Sequence, residues 1–267
     1  MRQISDMISM KGRVAAITGG CGHIGMAMAH ALAEQGCALL LIDRSESQLA
    51  EAAERLRARW AVDVATAAID LESEERRSTL AALVEQRFGR LDVLVNNAGF
   101  VGDSKLQGWV APFEEQSIET WRRAMEVNVT AAFHLSQQMA PLLRAGGHGA
   151  ILNVGSIYGV VGPDMSLYDG THMGNPAAYA VSKGGLVQLT RWLSTVMAPQ
   201  VRVNCISPGG VARNQPESFA SKYVARTPLK RMGTEEDFMG AVVYFCSDLS
   251  SWVTGENLQV DGGWTAW

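Results

Sequence analysis

The chain has 267 residues, of which 47% are hydrophobic, and a formal net charge of -4. This hydrophobic share can fill a full core and excludes a disordered protein, while the acidic balance argues against nucleic acid or an anionic membrane surface as the main partner. Its four cysteines are far apart and have neither paired nor metal-ligand spacing. Reduced thiols in a cytoplasmic protein are therefore expected, and no metal site is predicted.

Short apolar runs alternate with longer amphipathic stretches along the whole chain, and none is long enough for a membrane helix. Strands are predicted at residues 14–18, 38–42, 64–69, 93–95, 151–154, 201–206 and 257–260. Helices are predicted at residues 24–35, 48–60, 74–88, from an N-cap at Ser117 to about Leu143, and at 176–197 and 235–247. Apolar strands with crossover helices indicate an α/β fold, a doubly wound parallel sheet of Rossmann type with helices on both faces. No repeat or linker divides the chain, so residues 1–267 are interpreted as a single domain.

A glycine-rich turn joins the first predicted strand to the first predicted helix. It reads Thr18-Gly19-Gly20-Cys21-Gly22-His23-Ile24-Gly25. Glycines permit a tight turn and let the backbone approach a pyrophosphate at the N-terminus of the next helix. We therefore expect a dinucleotide to bind at Gly19, Gly22, His23, Ile24 and Gly25.

An acidic residue ends the second predicted strand. Asp43 follows Gly25 by eighteen residues, where a carboxylate binds both hydroxyls of the adenosine ribose and repels a 2′-phosphate. This position favours NAD as the cofactor. Arg44 supports the alternative, NADP, because its guanidinium can pair with that phosphate.

Tyr179 and Lys183 are four residues apart in a predicted helix, so they lie on one face, one turn apart. An ammonium at that distance is expected to lower the pKa of the phenol and make it usable as an acid or base. Asn175 as N-cap and Pro176 at the first helical position predict a helix start just before Tyr179, where the helix dipole also favours a phenolate. Ser156 follows a predicted strand and is able to hydrogen-bond a reacting oxygen.

These motifs and their order resemble the short-chain dehydrogenase/reductase family, in its compact single-domain branch, over residues 12–263. Further similar motifs follow in family order: Asp70-Leu71, Asn96-Asn97-Ala98-Gly99, Val127-Asn128-Val129, Pro208-Gly209 and Val260-Asp261-Gly262-Gly263. The resemblance implies a catalytic set of Asn128, Ser156, Tyr179 and Lys183, in which Asn128 holds a water that relays protons from Lys183.

The resemblance also implies cofactor contacts beyond the glycine turn. It places Asp70 and Leu71 beside the adenine, and Tyr179 and Lys183 at the nicotinamide ribose. The remaining implied contacts come from Asn97, Ala98, Gly99, Pro208, Gly209 and Val211.

Two positions depart from the family pattern. His23 replaces the middle glycine of the compact branch, and Gly19, Gly22 and Gly25 have the spacing of a longer branch that includes sugar-nucleotide epimerases. That branch carries an extra substrate domain for which this chain has no residues, so the compact interpretation is kept. After Pro208-Gly209, where the family often has a threonine near the cofactor amide, the chain reads Gly210-Val211-Ala212-Arg213-Asn214, and that contact is not assigned.

The segment between Ser156 and Tyr179 is about ten residues longer than the resemblance implies. The added residues, 162–174, carry two carboxylates, several hydroxyls and an imidazole, and residues 100–116 are expected to form the facing wall. Polar walls suit a polyhydroxylated, sugar-like substrate, whereas a surface loop without substrate contact is the alternative. This segment and the chain's ending also resemble a bacterial subgroup linked to surface-glycan and flagellin-sugar biosynthesis.

Three functions stay open at this point. The first is an NAD-dependent oxidoreductase that interconverts a secondary alcohol and a ketone on a small sugar-like molecule, in carbohydrate biosynthesis. The second is an NADPH-dependent 3-oxoacyl-thioester reductase, and the third is a non-catalytic NAD-binding scaffold.

The resemblance implies a homotetramer. The candidate apolar contacts between subunits, some of which are equally suited to the core, are Trp121, Trp192, Trp252, Trp264 and Trp267.

Overall fold

The computed structural model describes residues 1–102 and 106–267. The strands in these ranges are β1 Val14–Thr18, β2 Ala38–Asp43, β3 Val64–Ala68, β4 Val93–Asn96, β5 Gly149–Val154, β6 Val201–Pro208 and β7 Asn257–Val260. They form one parallel sheet in the order β3-β2-β1-β4-β5-β6-β7. The α/β, Rossmann-type fold predicted from the sequence is confirmed.

The helices cover both faces of this sheet. They are α1 Ile4–Ile8, α2 His23–Glu34, α3 Glu46–Trp60, α4 Glu74–Ser78, α5 Leu80–Phe88, α6 Ile118–Met125, α7 Ala131–Ala145, α8 Ala177–Met197, α9 Glu217–Arg226 and α10 Met239–Cys246. Among the described residues, none of the helices has both the length and the hydropathy required to cross a membrane.

The direction in which the sheet grows reverses at β1. In the register, Ala16 lies beside Leu40 of β2 on one side and Leu94 of β4 on the other. The connections from β1 and β4 therefore leave in opposite directions and open a crevice at the carboxyl ends of these two strands. This crevice positions the candidate site.

Two apolar layers hold the helices to the sheet. Along β1, Ala15 and Ile17 pack into one layer and Val14 and Ala16 into the other, because successive strand residues point to opposite faces. The first layer takes side chains from α2, α3 and α10, and the second from α5, α7 and α8. Because both faces are covered, the strands are continuous apolar runs.

Three of the predicted helices are interrupted, and the one predicted at 235–247 begins with a 3-10 turn, Glu235–Phe238, before α10. The helix predicted at 74–88 is divided into α4 and α5 at Thr79, whose hydroxyl donates to the carbonyl of Arg76. Ser117 caps α6 as predicted, by accepting the backbone N–H of Thr120. The long helix beyond it contains a π-helical turn, Glu126–Thr130, between α6 and α7.

Other expectations need correction. Helix α8 begins one residue later than predicted, with Pro176 as its N-cap, so Asn175 does not cap it. The buried Asn175 Oδ1 has no hydrogen-bond partner among the described residues. Helices α1 and α9 were not predicted. Trp264 is only 1% exposed and belongs to the core, whereas Trp192, Trp252 and Trp267 are exposed.

Candidate active site

A cavity of about 860 Å³ lies at the carboxyl ends of the strands. Its walls come from the glycine turn, from the ends of β2, β4, β5 and β6, and from α8 and α9. This is the position at which doubly wound sheets bind ligands, and the volume is typical of a ligand pocket. The cavity therefore contains the candidate site.

The glycine turn is held in a conformation that requires glycine. Gly19 has φ +64°, and a Cβ on Gly25 would lie 2.1 Å from the Gly19 carbonyl oxygen. Asn97 Nδ2 braces the turn by donating to the carbonyls of Thr18 (3.0 Å) and Gly19 (3.1 Å). The predicted turn residues that line the cavity are Gly19, Gly22, His23, Ile24 and Gly25.

This turn fits the pyrophosphate of a dinucleotide. Helix α2 starts directly after Gly22, so its free backbone amides lie beside the turn, where they favour a bound anion. The turn and the start of α2 also pack in direct contact, since a Cβ on Gly25 would lie 2.7 Å from Asn97 Nδ2 as well as against the Gly19 carbonyl.

The end of β2 places a carboxylate next to the turn. Asp43 Oδ2 accepts the backbone N–H of Cys21 (3.1 Å), and its Oδ1 accepts that of Arg44 (2.8 Å). Asp43 and Arg44 both line the cavity, and the Arg44 side chain is exposed. The structure thus brings together the two residues that argue for opposite cofactor preferences.

The adenine-side residues predicted by resemblance also reach the cavity. Asp70 and Leu71 line it, and Asp70 Oδ1 accepts the backbone N–H of Glu72 (3.0 Å). Glu72 is paired through both oxygens with Arg123, whose guanidinium lies 5.0 Å from the ring centroid of Phe100. Glu72, Arg123 and Phe100 line the cavity as well, although the sequence reasoning did not single out the first two.

Asn128 lies behind the cavity wall, in the π-helical turn. Its Oδ1 accepts the backbone N–H of Phe100 (2.6 Å), and its Nδ2 donates to Ser182 Oγ (2.8 Å). A Cβ on Gly99 would meet both Lys183 Nζ and Asn128 Oδ1, at 3.6 and 3.7 Å. Asn128 therefore ties the segment after β4 to α8, close to Lys183. Such π-helical turns are frequent at functional sites.

Ser156 and Tyr179 meet at the end of β5. Ser156 Oγ accepts the backbone N–H of Tyr158 (3.2 Å), and its own hydroxyl hydrogen-bonds to Tyr179. Tyr179 is half-buried in the first turn of α8. Burial raises the pKa of its phenol, although the hydrogen-bonding Ser156 hydroxyl lowers it and partly opposes this shift.

The direction of this shift corrects the expectation that Lys183 lowers the pKa of Tyr179. Lys183 does lie one turn away, with Nζ 5.8 Å from the ring centroid. However, its amine donates to the carbonyl of Val154 (2.7 Å), and burial dominates the pKa of the phenol. Burial also lowers the pKa of Lys183 itself, to about 8.

The loop after β6 contributes only part of what was predicted. Pro208 and Gly209 line the cavity, whereas Val211 forms a bridge with Gly233 outside the lining. Arg213 lines the cavity and pairs with Glu235, whose carboxylate also lies 3.7 Å from His23 Nδ1. Ala98 and Gly99, from the motif after β4, line the opposite side.

An aromatic wall was missed by the sequence reasoning. It consists of Tyr158, Tyr168, Phe219 and Tyr223, with Met173 and Met232 beside them. A signal existed for part of it: Phe219 and Tyr223 are four residues apart, a spacing that puts them on one face of a helix. Tyr158 and Tyr168 gave no signal, because nothing in their spacing indicates that they meet.

The added segment 162–174 is not the polar wall that was predicted. The residues of it that line the cavity are Tyr168 and Met173. Asp164 instead accepts from Ser166 and pairs with Arg226 at 2.6 Å, and Asp169 and His172 are exposed. The segment packs on α9, where an ion pair satisfies its carboxylate.

The facing wall expected from residues 100–116 is present in part. Phe100, Val101, Gly102 and Leu106 line the cavity, and Trp109 holds this stretch by donating to the carbonyl of Val101 (2.7 Å). Residues 103–105 of the predicted wall lie outside the described residues.

Comparison with known proteins identifies the family. A family model described as "Enoyl-(Acyl carrier protein) reductase" matches residues 21–265. The galactitol 2-dehydrogenase (L-tagatose-forming) of Cereibacter sphaeroides is 34% identical in an alignment of 268 positions that covers 97% of this chain and 97% of that protein. The chain belongs to the short-chain dehydrogenase/reductase family and is an oxidoreductase that acts on alcohol or ketone groups.

Solved structures agree with this assignment. An NADPH-dependent 3-quinuclidinone reductase from Rhodotorula rubra matches with a TM-score of 0.88 and 30% identity, over 100% of this chain and 96% of that chain. An NAD+-bound xylitol dehydrogenase matches with a TM-score of 0.84 and 31% identity, over 95% of this chain and 99% of that chain. A nicotinamide dinucleotide is the cofactor expected for the family, and these two neighbours use different forms of it.

Proposed function

We propose that the chain interconverts a secondary alcohol and a ketone on a polyhydroxylated, sugar-like substrate, with NAD as cofactor and with Asn128, Ser156, Tyr179 and Lys183 as the reacting set. The observation that carries this proposal is that Ser156, Tyr179 and Lys183 line the same cavity as the glycine turn. A proton donor and a dinucleotide cradle within one cavity are what hydride transfer to a carbonyl requires.

The proton chemistry follows from the pKa of Tyr179. Because burial raises it, the phenol is protonated at neutral pH and donates its proton to the substrate oxygen during reduction. During oxidation the phenolate takes the proton of the alcohol. Ser156 donates a hydrogen bond to the same oxygen as its charge changes. The nicotinamide, when bound, donates or accepts the hydride.

Lys183 and Asn128 complete the proton path. Burial lowers the pKa of the Lys183 amine to about 8, so this amine can gain and lose a proton close to neutral pH. Asn128 lies beside it across Gly99 and holds the π-helical turn in place through Phe100 and Ser182. In this proposal Lys183 also holds the nicotinamide ribose.

The preference for NAD is supported by Asp43. Its carboxylate is fixed by two backbone amides at the edge of the cavity, where it would repel a 2′-phosphate. Arg44 is the residue that would support NADP. We give Asp43 the greater weight and propose NAD, because the position of its carboxylate is fixed by the backbone whereas the Arg44 side chain is exposed.

The sugar-like substrate is supported by relatives that are named for polyols, galactitol and xylitol. The alternative, an acyl-thioester reductase, is favoured by the description of the matching family model.

A tetrameric assembly remains part of the proposal. The exposed side chains of Trp192, Trp252 and Trp267 are available for contacts between subunits.

A panel of substrates tests the proposal. Nicotinamide absorbance is followed with NAD and with NADP against polyols, cyclitols, sugars, nucleotide sugars and 3-oxoacyl thioesters. The proposal expects NAD-linked oxidation of a polyhydroxylated alcohol. NADPH-linked reduction of thioesters alone would contradict it, and tight NADH binding without any turnover would support the scaffold instead.

A further inference from the structure

The aromatic wall beyond Ser156 is a continuous stack. Phe219 and Tyr223 stack with ring centroids 5.9 Å apart, and Tyr223 stacks on Trp264 at 5.8 Å. Tyr168 is tilted against Phe219 at 5.4 Å, and Tyr158 meets Trp264 edge-on at 6.1 Å. These rings pack on one another and form a rigid apolar wall at one side of the cavity.

The wall is braced from behind. Trp264 is 1% exposed, and the Arg226 guanidinium lies 4.5 Å from its ring centroid while pairing with Asp164. Lys222 Nζ donates to the carbonyl of Ser166 at 2.7 Å. These contacts join the added segment to α9, so the wall is already built before a substrate enters, and less ordering is required on binding.

The hydroxyl of Tyr158 is a polar group on this wall that is available to a ligand. Tyr168 Oη donates to Tyr158 Oη at 2.9 Å, so the Tyr158 oxygen already accepts one hydrogen bond. Among the described residues, no acceptor takes the Tyr158 proton. Burial raises the pKa of Tyr158, so the phenol stays protonated at neutral pH.

We infer that Tyr158 is a second substrate-binding residue, which donates a hydrogen bond to an oxygen substituent of a ring-shaped, uncharged alcohol that packs against the aromatic wall. This inference rests on the proposed function and names the substrate class of the same site. Tyr168 acts through Tyr158 and is a positioning residue. The arginines near the wall support an uncharged ligand, because Arg213 is paired with Glu235 and Arg226 with Asp164.

Two ring alcohols that differ by one hydroxyl test the inference. The value of kcat/KM is measured with NAD for trans-1,2-cyclohexanediol and for cyclohexanol, in the wild type and in the variants Tyr158→Phe, Tyr168→Phe and Tyr244→Phe. Tyr244 is a partly exposed residue of α10, remote from the wall, and serves as the matched control.

The expected result is selective. Tyr158→Phe lowers kcat/KM for the diol by roughly tenfold, the value of one lost hydrogen bond, and leaves that for cyclohexanol unchanged. Tyr168→Phe has the same selectivity with a smaller loss, and Tyr244→Phe changes neither. An equal loss on both alcohols, or no loss on the diol, would overturn the inference.

A binding measurement separates this inference from the proposed function. Saturation-transfer NMR reports binding of the diol to the NADH-bound protein without any hydride transfer. Binding that weakens in Tyr158→Phe supports the inference even if no alcohol is oxidised. Oxidation of acyclic polyols without any binding of the diol would refute the inference and leave the proposed function standing.

Discussion

Replacing Gly25 with alanine tests whether the glycine turn is built as the structure shows. The added Cβ would lie 2.1 Å from the Gly19 carbonyl oxygen and 2.7 Å from Asn97 Nδ2. Neither neighbour is the free end of a flexible side chain: one is backbone, and the other is held by two hydrogen bonds. The turn and the start of α2 must therefore move apart.

Gly22 supplies the matched control. A Cβ on Gly22 would lie 3.2 Å from the same carbonyl oxygen, and Gly22 has φ -68°, which alanine adopts without strain. Overpacking a tight site costs about 1–3 kcal/mol, so Gly25→Ala is expected to lower the free energy of unfolding by about 2 kcal/mol. In a chain of this size that corresponds to a fall in Tm of roughly 4–8 °C. Gly22→Ala is expected to cost less than about 1 kcal/mol.

Thermal unfolding and NADH titration are the assays, at equal protein concentrations because assembly and ligand both shift Tm. Gly25→Ala is expected to weaken NADH binding about tenfold, equivalent to about 1.4 kcal/mol, because the displaced turn no longer presents its amides. If Gly25→Ala matched Gly22→Ala in Tm and kept the NADH affinity of the wild type, the tight packing of the turn would be refuted.

Three further predictions follow. Asp43→Ser is expected to lower the ratio of kcat/KM with NAD to kcat/KM with NADP at least about tenfold. Adding Arg44→Ala to this variant should lower kcat/KM with NADP again in the same kinetic assay. Burial lowers the pKa of Lys183 from 10.5 to about 8 and so penalises its ammonium form. The folded state therefore gains stability, by up to about 3 kcal/mol, as the pH rises from about 8 towards 10.5. Lys183→Met should lack this gain when thermal melts are compared at pH values below and above that range. Arg226→Ala is expected to raise the KM for the substrate and to speed hydrogen exchange in residues 162–174 without changing the NADH affinity. Arg87→Ala, which breaks a remote exposed ion pair, should change none of these quantities. Faster exchange with an unchanged KM would argue against a binding role for the aromatic wall.

The sheet was predictable because buried parallel strands are nearly continuous apolar runs. β1 and β7 have the predicted bounds, and the other strands differ by one or two residues at an end. The π-helical turn was not predictable from the local sequence, because it contains Asn128, which hydrogen-bonds to the distant residues Phe100 and Ser182.

The site was predictable where it depends on short spacings. The glycine turn, Asp43 and the pair of Tyr179 and Lys183 each lie within one element or at its end, so sequence order places them. The direction of the pKa shift of Tyr179 differs from the prediction, because burial is the largest cause of the shift and raises the pKa. The aromatic wall is assembled from three separate parts of the chain and gave no local signal as a whole.

Comparing the wild type with Tyr179→Phe tests the central claim most directly. Turnover of the best alcohol of the panel is followed by nicotinamide absorbance, and NADH binding is followed by fluorescence in the same samples. We expect the variant to lose at least about a hundredfold in kcat, since it removes the proton donor and acceptor, while its NADH affinity is unchanged. Turnover close to the wild-type rate, by a variant that still binds NADH, would contradict the assignment of Tyr179 as the acid and base of the reaction.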